Sequence, residues 1–115
     1  MNKIIMTIFI PITILFFTLV FSNTAAAKTP IIKIHIKGHL FFPSEVFIPA
    51  ETKVRLLVIN DDETAEEFES YELNREKIIM GGSKAIIFIG PLKAGSYPFF
   101  GEFYPKTAQG VIIAQ

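Results

Sequence analysis

The residues best equipped for chemistry in this chain of 115 residues are its carboxylates, and they are unevenly spread. Of eleven acidic residues, eight fall between Asp61 and Glu76: Asp61, Asp62, Glu63, Glu66, Glu67, Glu69, Glu72 and Glu76, with Arg75 set among them. Carboxylates are hard oxygen donors that suit Fe, Mn, Mg or Ca, and Cu(II) less selectively. The same stretch also reads as a solvated acidic surface. His35 alternates with Lys33 and Lys37 on the outward side of an extended segment, where a histidine is ordinarily solvated. His39 follows Gly38 in a turn, and loops carry function more often than strands do. Met80, before Gly81-Gly82, offers a thioether to a soft metal or fills the core.

What is missing narrows the chemistry further. There is no cysteine, which excludes thiol catalysis, Fe–S clusters and thiolate-bound copper or zinc. Two histidines yield no Ser-His-Asp set, and Gly81-Gly82-Ser83 lacks the spacing of a phosphate-cradling loop, so an enzyme is not expected. Net charge is zero and no basic stripe is present, which argues against nucleic-acid binding.

The elements that must position these groups read as strands. Ile32, Ile34 and Ile36 alternate with Lys33, His35 and Lys37, the period-two pattern of a half-buried strand. Leu40 to Ile48 is a second extended segment, interrupted by Pro43 as an edge or bulge would be. Lys53 to Ile59 runs into the turn Asn60-Asp61-Asp62. Glu66 to Leu73 is a strand or a loop, with Phe68 and Tyr71 set into it. Lys77–Met80, Lys84–Ile89, Ser96–Phe100 and Gly110–Ala114 complete the set, separated by Gly and Pro. Seven to eight short strands with no helical stretch predict one all-β domain, a sandwich or a barrel.

The N-terminus has a different character. A short basic start, an apolar run from Ile4 to Phe21 and the triplet Ala25-Ala26-Ala27 form the layout of a secretory signal, cut between Ala27 and Lys28. The expected division is a signal peptide over residues 1–27 and a domain over residues 28–115, with periplasmic or otherwise exported localisation. The alternative is an uncleaved membrane anchor, because the run approaches the roughly 18–20 residues that span a bilayer. A mature domain of about 88 residues without disulfides must rely on packing, and eight phenylalanines supply the bulk.

Several segments together resemble the cupredoxin fold, which implies a Greek-key β-sandwich of seven to eight strands, and specifically the small cupredoxin-like proteins of the EfeO type associated with bacterial iron uptake. Phe42-Pro43 with Val46 and Ile48-Pro49-Ala50 is similar to the family's F-x-P-x-x-I-x-V-P-A-G opening, with Glu51 where the last glycine is expected. Val54-Arg55-Leu56 running to Asn60-Asp61 resembles the strand that ends in N-x-D, and Thr64-Ala65-Glu66-Glu67-Phe68-Glu69-Ser70 resembles that subgroup's T-A-E-E-F-E-S segment. Gly90-Pro91-Leu92, Gly95-Ser96-Tyr97-Pro98-Phe99-Phe100-Gly101-Glu102-Phe103 and Thr107-Ala108-Gln109-Gly110 are similar to its terminal signature.

The resemblance implies a metal site and also its alteration. Blue-copper members use two histidines, a cysteine and a weak methionine. The matching positions here are Glu66 for the first histidine, then Gly101, Tyr104 and Ala108 for cysteine, histidine and methionine, so no type 1 copper is expected. The iron-associated members carry G-E-F-H-P, from which Tyr104 also departs. Glu66, Glu102 and Tyr104 are therefore the candidate metal ligands, an all-oxygen set suited to a copper or, better, a ferric ion. The bland reading makes Tyr104 an aromatic cap beside Phe103. What the resemblance implies for function is an exported accessory of metal handling or iron uptake, with a membrane iron permease of the FTR1 type as partner. The competing reading is a metal-free interaction module that docks a membrane partner through its acidic rim.

Overall fold

The computed structural model describes residues 2–8, 11, 18–21 and 28–115. The expected leader and its cut after Ala27 lie for the most part outside the described residues. Among the described residues no helix is long and apolar enough to cross a membrane.

Nine strands follow one another: β1 (Ile31–Lys37), β2 (Leu40–Phe42), β3 (Glu45–Ile48), β4 (Val54–Asn60), β5 (Glu66–Ser70), β6 (Arg75–Ile79), β7 (Lys84–Ile89), β8 (Gly95–Gly101) and β9 (Gln109–Ala114). They form two sheets, one ordered β2-β1-β4-β7 and the other β3-β9-β8-β5-β6. The count exceeds the seven to eight expected because Pro43 does more than roughen one strand. The chain leaves β2 through Pro43-Ser44 and enters the opposite sheet as β3, so one predicted segment serves two layers. Glu66–Ser70, ambiguous in sequence, is a strand paired on both sides, antiparallel to β6 and β8.

Period two decides which side chains meet between the layers. Ile34 and Ile36 from β1, Leu56 and Val58 from β4, and Ile87 and Ile89 from β7 face Val46, Phe68, Phe99 and Ile112 of the other sheet, all buried. At the centre Phe68 and Phe99 stack with ring centroids 4.9 Å apart, while Phe41 from the other sheet meets Phe99 edge-on at 4.9 Å. Aromatic pairs of this kind add about 0.5–1.5 kcal/mol beyond their burial. In a domain with no disulfide they are the tie between layers. Phe99 needs its cross-strand partner to be Gly110, since a Cβ there would come within 2.3 Å of the ring.

One turn carries an uncompensated strain. Glu51 has φ 55°, and its N–H donates to the Leu92 carbonyl at 2.7 Å. This left-handed region costs a residue with a Cβ about 1–2 kcal/mol. Glu51→Gly would remove that cost while adding about 0.4–1 kcal/mol of unfolded-chain entropy. The substitution should therefore stabilise the domain by about 0.5–1 kcal/mol, read as a rise of a few degrees in Tm.

Candidate functional site

One end of the sandwich gathers the β1–β2 turn, the segment after β4, the start of β5 and the loop from Glu102 to Ala108. Asn60, itself buried, braces this end. Its Nδ2 donates to the carbonyls of Thr64 and Ile79 at 2.9 and 3.0 Å, and its Oδ1 accepts the Asp62 N–H at 3.0 Å. Asp62 in turn holds the β1–β2 turn, where Gly38 and His39 both have positive φ. The Asp62 carboxylate accepts the N–H of Gly38 at 2.8 Å and of His39 at 2.9 Å. The His39 N–H holds the Asp62 carboxyl below its ordinary value; loss of water partly opposes this, and the Gly38 N–H reinforces it. Stability from this group is thus present above the ordinary aspartate range and is lost as pH falls through the lowered value.

Glu66 lies at the heart of the end. It is 1% exposed, and its Oε1 accepts two backbone N–H groups, that of Glu67 at 2.8 Å and that of Phe103 at 2.9 Å. The second bond fastens the Glu102–Ala108 loop to β5. Oε2 is buried and has no hydrogen-bond partner among the described residues. The space for this carboxylate exists because Gly101 has no side chain. A Cβ built there would lie 2.6 Å from both Cδ and Oε2 of Glu66, and 2.7 Å from the Cβ of Ala108. Glu66, Gly101 and Ala108 are therefore mutual neighbours, and the loop that joins the last two is closed by Gly101 N–H to Ala108 O at 2.8 Å.

The other two candidate ligands are placed differently. Glu102 is exposed, with its N–H donating to the Glu67 carbonyl at 2.9 Å. Tyr104 is 37% exposed and stacks on the His39 ring with centroids 3.6 Å apart and planes 17° from parallel. The three sit at one end because the Phe103 N–H that Glu66 binds lies between Glu102 and Tyr104. His35 pairs its Nδ1 with Asp61 Oδ2 at 2.7 Å on the outer side of β1. Met80 is exposed at 62% and fills no core.

Sequence reasoning passed over two features. The His39–Tyr104 stack joins residues 65 positions apart, which no local pattern reveals. Glu67, Glu69 and Glu76 bring carboxylate oxygens within 4.8 Å of one another on the outside of the β5–β6 pair. Period two puts Glu67 and Glu69 on one face, but only the hairpin register, Glu69 opposite Glu76, brings in the third. Loss of water raises the Glu69 carboxyl above its ordinary value, and Glu76 and Glu67 reinforce this.

The geometry has known counterparts. A family model for the cupredoxin-like domain matches residues 10–114. The chain belongs to the cupredoxin-like domain family. Among solved structures, this cupredoxin-like chain is similar to auracyanin A, a "blue" copper protein of Chloroflexus aurantiacus, with TM-score 0.65 and 14% identity over 76% of this chain and all of that one. The metal binding domain of the Cu(I)-exporting ATPase CopA of Streptococcus pneumoniae D39 gives TM-score 0.64 at 15% identity, covering 79% of this chain and 92% of that one. A purple cupredoxin of Nitrosopumilus maritimus gives 0.56 at 19%, covering 72% and 98%. The chain is also 51% identical over 82 residues to uncharacterized protein RP394 of Rickettsia prowazekii (strain Madrid E), covering 71% of this chain and 66% of that protein, just under two thirds of its length.

A type 1 copper ion does not fit this cupredoxin-like end. Such a centre takes a thiolate and two imidazoles with a weak thioether. The chain has no cysteine, Gly101 and Ala108 offer no donor atom, and Glu66 already spends one oxygen on the backbone.

Two outcomes test the electrostatics of this end. Glu66→Ala leaves the Phe103 N–H without its acceptor, so a loss of about 1–3 kcal/mol is expected, with faster hydrogen exchange at that amide. For Glu69 the sign is set by its raised value: the folded chain holds the proton more tightly, so stability from this group is present at low pH and lost as pH rises through that value. Glu69→Gln should therefore raise Tm at pH 7, and the gain should vanish below about pH 4.

Proposed function

We propose that this cupredoxin-like protein is exported and serves as a metal-handling accessory of iron uptake, working without type 1 copper. The observation that carries the reading is the second oxygen of Glu66, buried and without a partner among the described residues, beneath a loop that presents Glu102 and Tyr104. A buried acceptor without a partner costs about 1–3 kcal/mol, and a bound cation would recover that cost. The ligand set would be oxygen alone, carboxylate and phenolate, which favours a hard ion such as Fe(III) over Cu(I). The ion is cargo in this reading, received and passed on to a membrane iron permease of the FTR1 type, and the EfeO-like segments around Glu66 and Glu102 support that placement. The eight acids between Asp61 and Glu76 would raise the local cation concentration.

A second reading has its own observation. Oε1 of Glu66 bonds the Phe103 N–H and so closes the loop on β5 with no ion at all, which suits a metal-free module that docks a membrane partner through its acidic rim.

Thermal melting of the protein after EDTA, then with Fe(III), Mn(II) or Cu(II) added, separates the two. A ligand at 100 times its Kd stabilises by about 2.7 kcal/mol, roughly 10–20 °C for a domain of this size. A shift with Fe(III), a phenolate-to-iron absorption band and loss of that band in Tyr104→Phe are expected. An unchanged Tm with all three ions overturns metal handling and leaves the docking module.

A further inference from the structure

The two outer faces of the sandwich differ in the sign of their charge. On the sheet ordered β2-β1-β4-β7, the charged residues at outward strand positions are Lys33 and Lys37 of β1, Arg55 of β4 and Lys84 of β7. None is a carboxylate; Asp61, just past β4, is engaged with His35 at the rim. On the sheet ordered β3-β9-β8-β5-β6, the charged residues at outward positions are Glu45 of β3, Glu67 and Glu69 of β5 and Glu76 of β6, with no lysine or arginine among them. Arg75 and Lys77 belong to the other parity of β6, opposite the inward Ser70 and Phe68.

Each face also exposes large apolar side chains. Ile86 and Phe88 are 48% and 63% exposed on the basic side, and Phe47 and Ile78 are each 52% exposed on the acidic side. Apolar residues spread across a sheet face beside charges of one sign are the composition of a contact surface more than of a solvated wall. Like charges opposite one another on neighbouring strands destabilise a sheet, as Glu69 and Glu76 do here. That arrangement is relieved when cations approach from outside.

From this pairing we infer that the basic face of one copy docks on the acidic face of a second copy, sheet against sheet. The observation that selects a second copy over any other occupant is that both halves of the complement lie on this chain, four cations against four carboxylates. An anionic bilayer would match the basic face and leave the acidic one unexplained. The contact is heterologous, so it leaves a free face at each end and adds further copies instead of closing as a dimer. Sheets packed in this way align within about 30° at about 10 Å separation, close enough for lysine stems to lie across the apolar residues while their ammonium groups reach the carboxylates. The inference concerns the two sheet faces and stands apart from the loop end where Glu66 lies.

The test uses the chain in the form that an exporting host delivers, followed by sedimentation velocity. At ionic strength near 0.01 M, where the Debye length is about 30 Å, mass should rise above the monomer with concentration; near 1 M, where it is about 3 Å, the monomer should return. Two charge reversals refine this. Lys33→Glu with Lys84→Glu cancels the positive charge of the basic face, leaving Lys37 and Arg55 against two carboxylates, and Glu69→Lys with Glu76→Lys cancels the negative charge of the acidic face, leaving Glu45 and Glu67 against two lysines. Each variant alone should lose about tenfold or more in association, and an equimolar mixture of the two should recover it. All four substituted side chains lie at outward positions, and the salt series on the parent chain needs no variant. A monomer at every salt and concentration overturns the inference. So does failure of the mixture to associate when the parent does, and so does binding to anionic vesicles by a chain that never associates with itself.

Discussion

Glu66 is a charged-type side chain held at 1% exposure in an apolar sandwich, and the far end of the fold is arranged around it. Its Oε1 takes two backbone N–H groups, one from its own strand and one from the loop that follows β8, so a single atom joins elements 37 residues apart. That bond exists only because Gly101 offers hydrogen atoms where any other residue would put carbon 2.6 Å from the carboxylate, and because Ala108 is small. A carboxyl oxygen in such a place must be matched by donors or carry a desolvation penalty. Among the described residues one oxygen is matched and the other is not, which makes this residue both a structural clasp and the centre of the proposed metal reading.

Behind the clasp, the structure depends on three rings. Phe41 from one sheet and Phe68 and Phe99 from the other meet at the middle of the sandwich, where a domain of this size has no disulfide to lean on. Phe68 is two residues after Glu66 and points the same way, so the strand that supplies the core also delivers the carboxylate. The Phe68–Gly101 pairing across β5 and β8 then puts the glycine beside it. Core and site share a register. A slip of one residue in β5 would send Phe68 and Glu66 to solvent and bring Glu67 and Glu69 inward.

Much of the strand pattern was legible because period-two alternation is written directly in residue type. Ile34 and Ile36 are buried where alternation places them, whereas β4 and β7 carry apolar residues on both faces, so only the structure shows that Leu56, Val58, Ile87 and Ile89 point inward. The sheet switch at Pro43 was not legible, since a proline break looks the same whether the chain resumes in its own sheet or crosses to the other. The exposure of Met80 was not legible either, because its place after the last inward residue of β6 depends on where that strand stops.

Composition and order along the chain determined the all-β class, the absence of thiolate chemistry and the crowding of acids between Asp61 and Glu76; each follows from what a residue is or from its nearest neighbours in sequence. Tertiary structure alone decided that Glu66 touches Gly101 and Ala108, that His39 stacks on Tyr104, and that cations and carboxylates segregate to opposite outer faces. The reason is physical. Those contacts depend on strand register and sheet order, which are set by the simultaneous burial of both layers and by no segment taken singly.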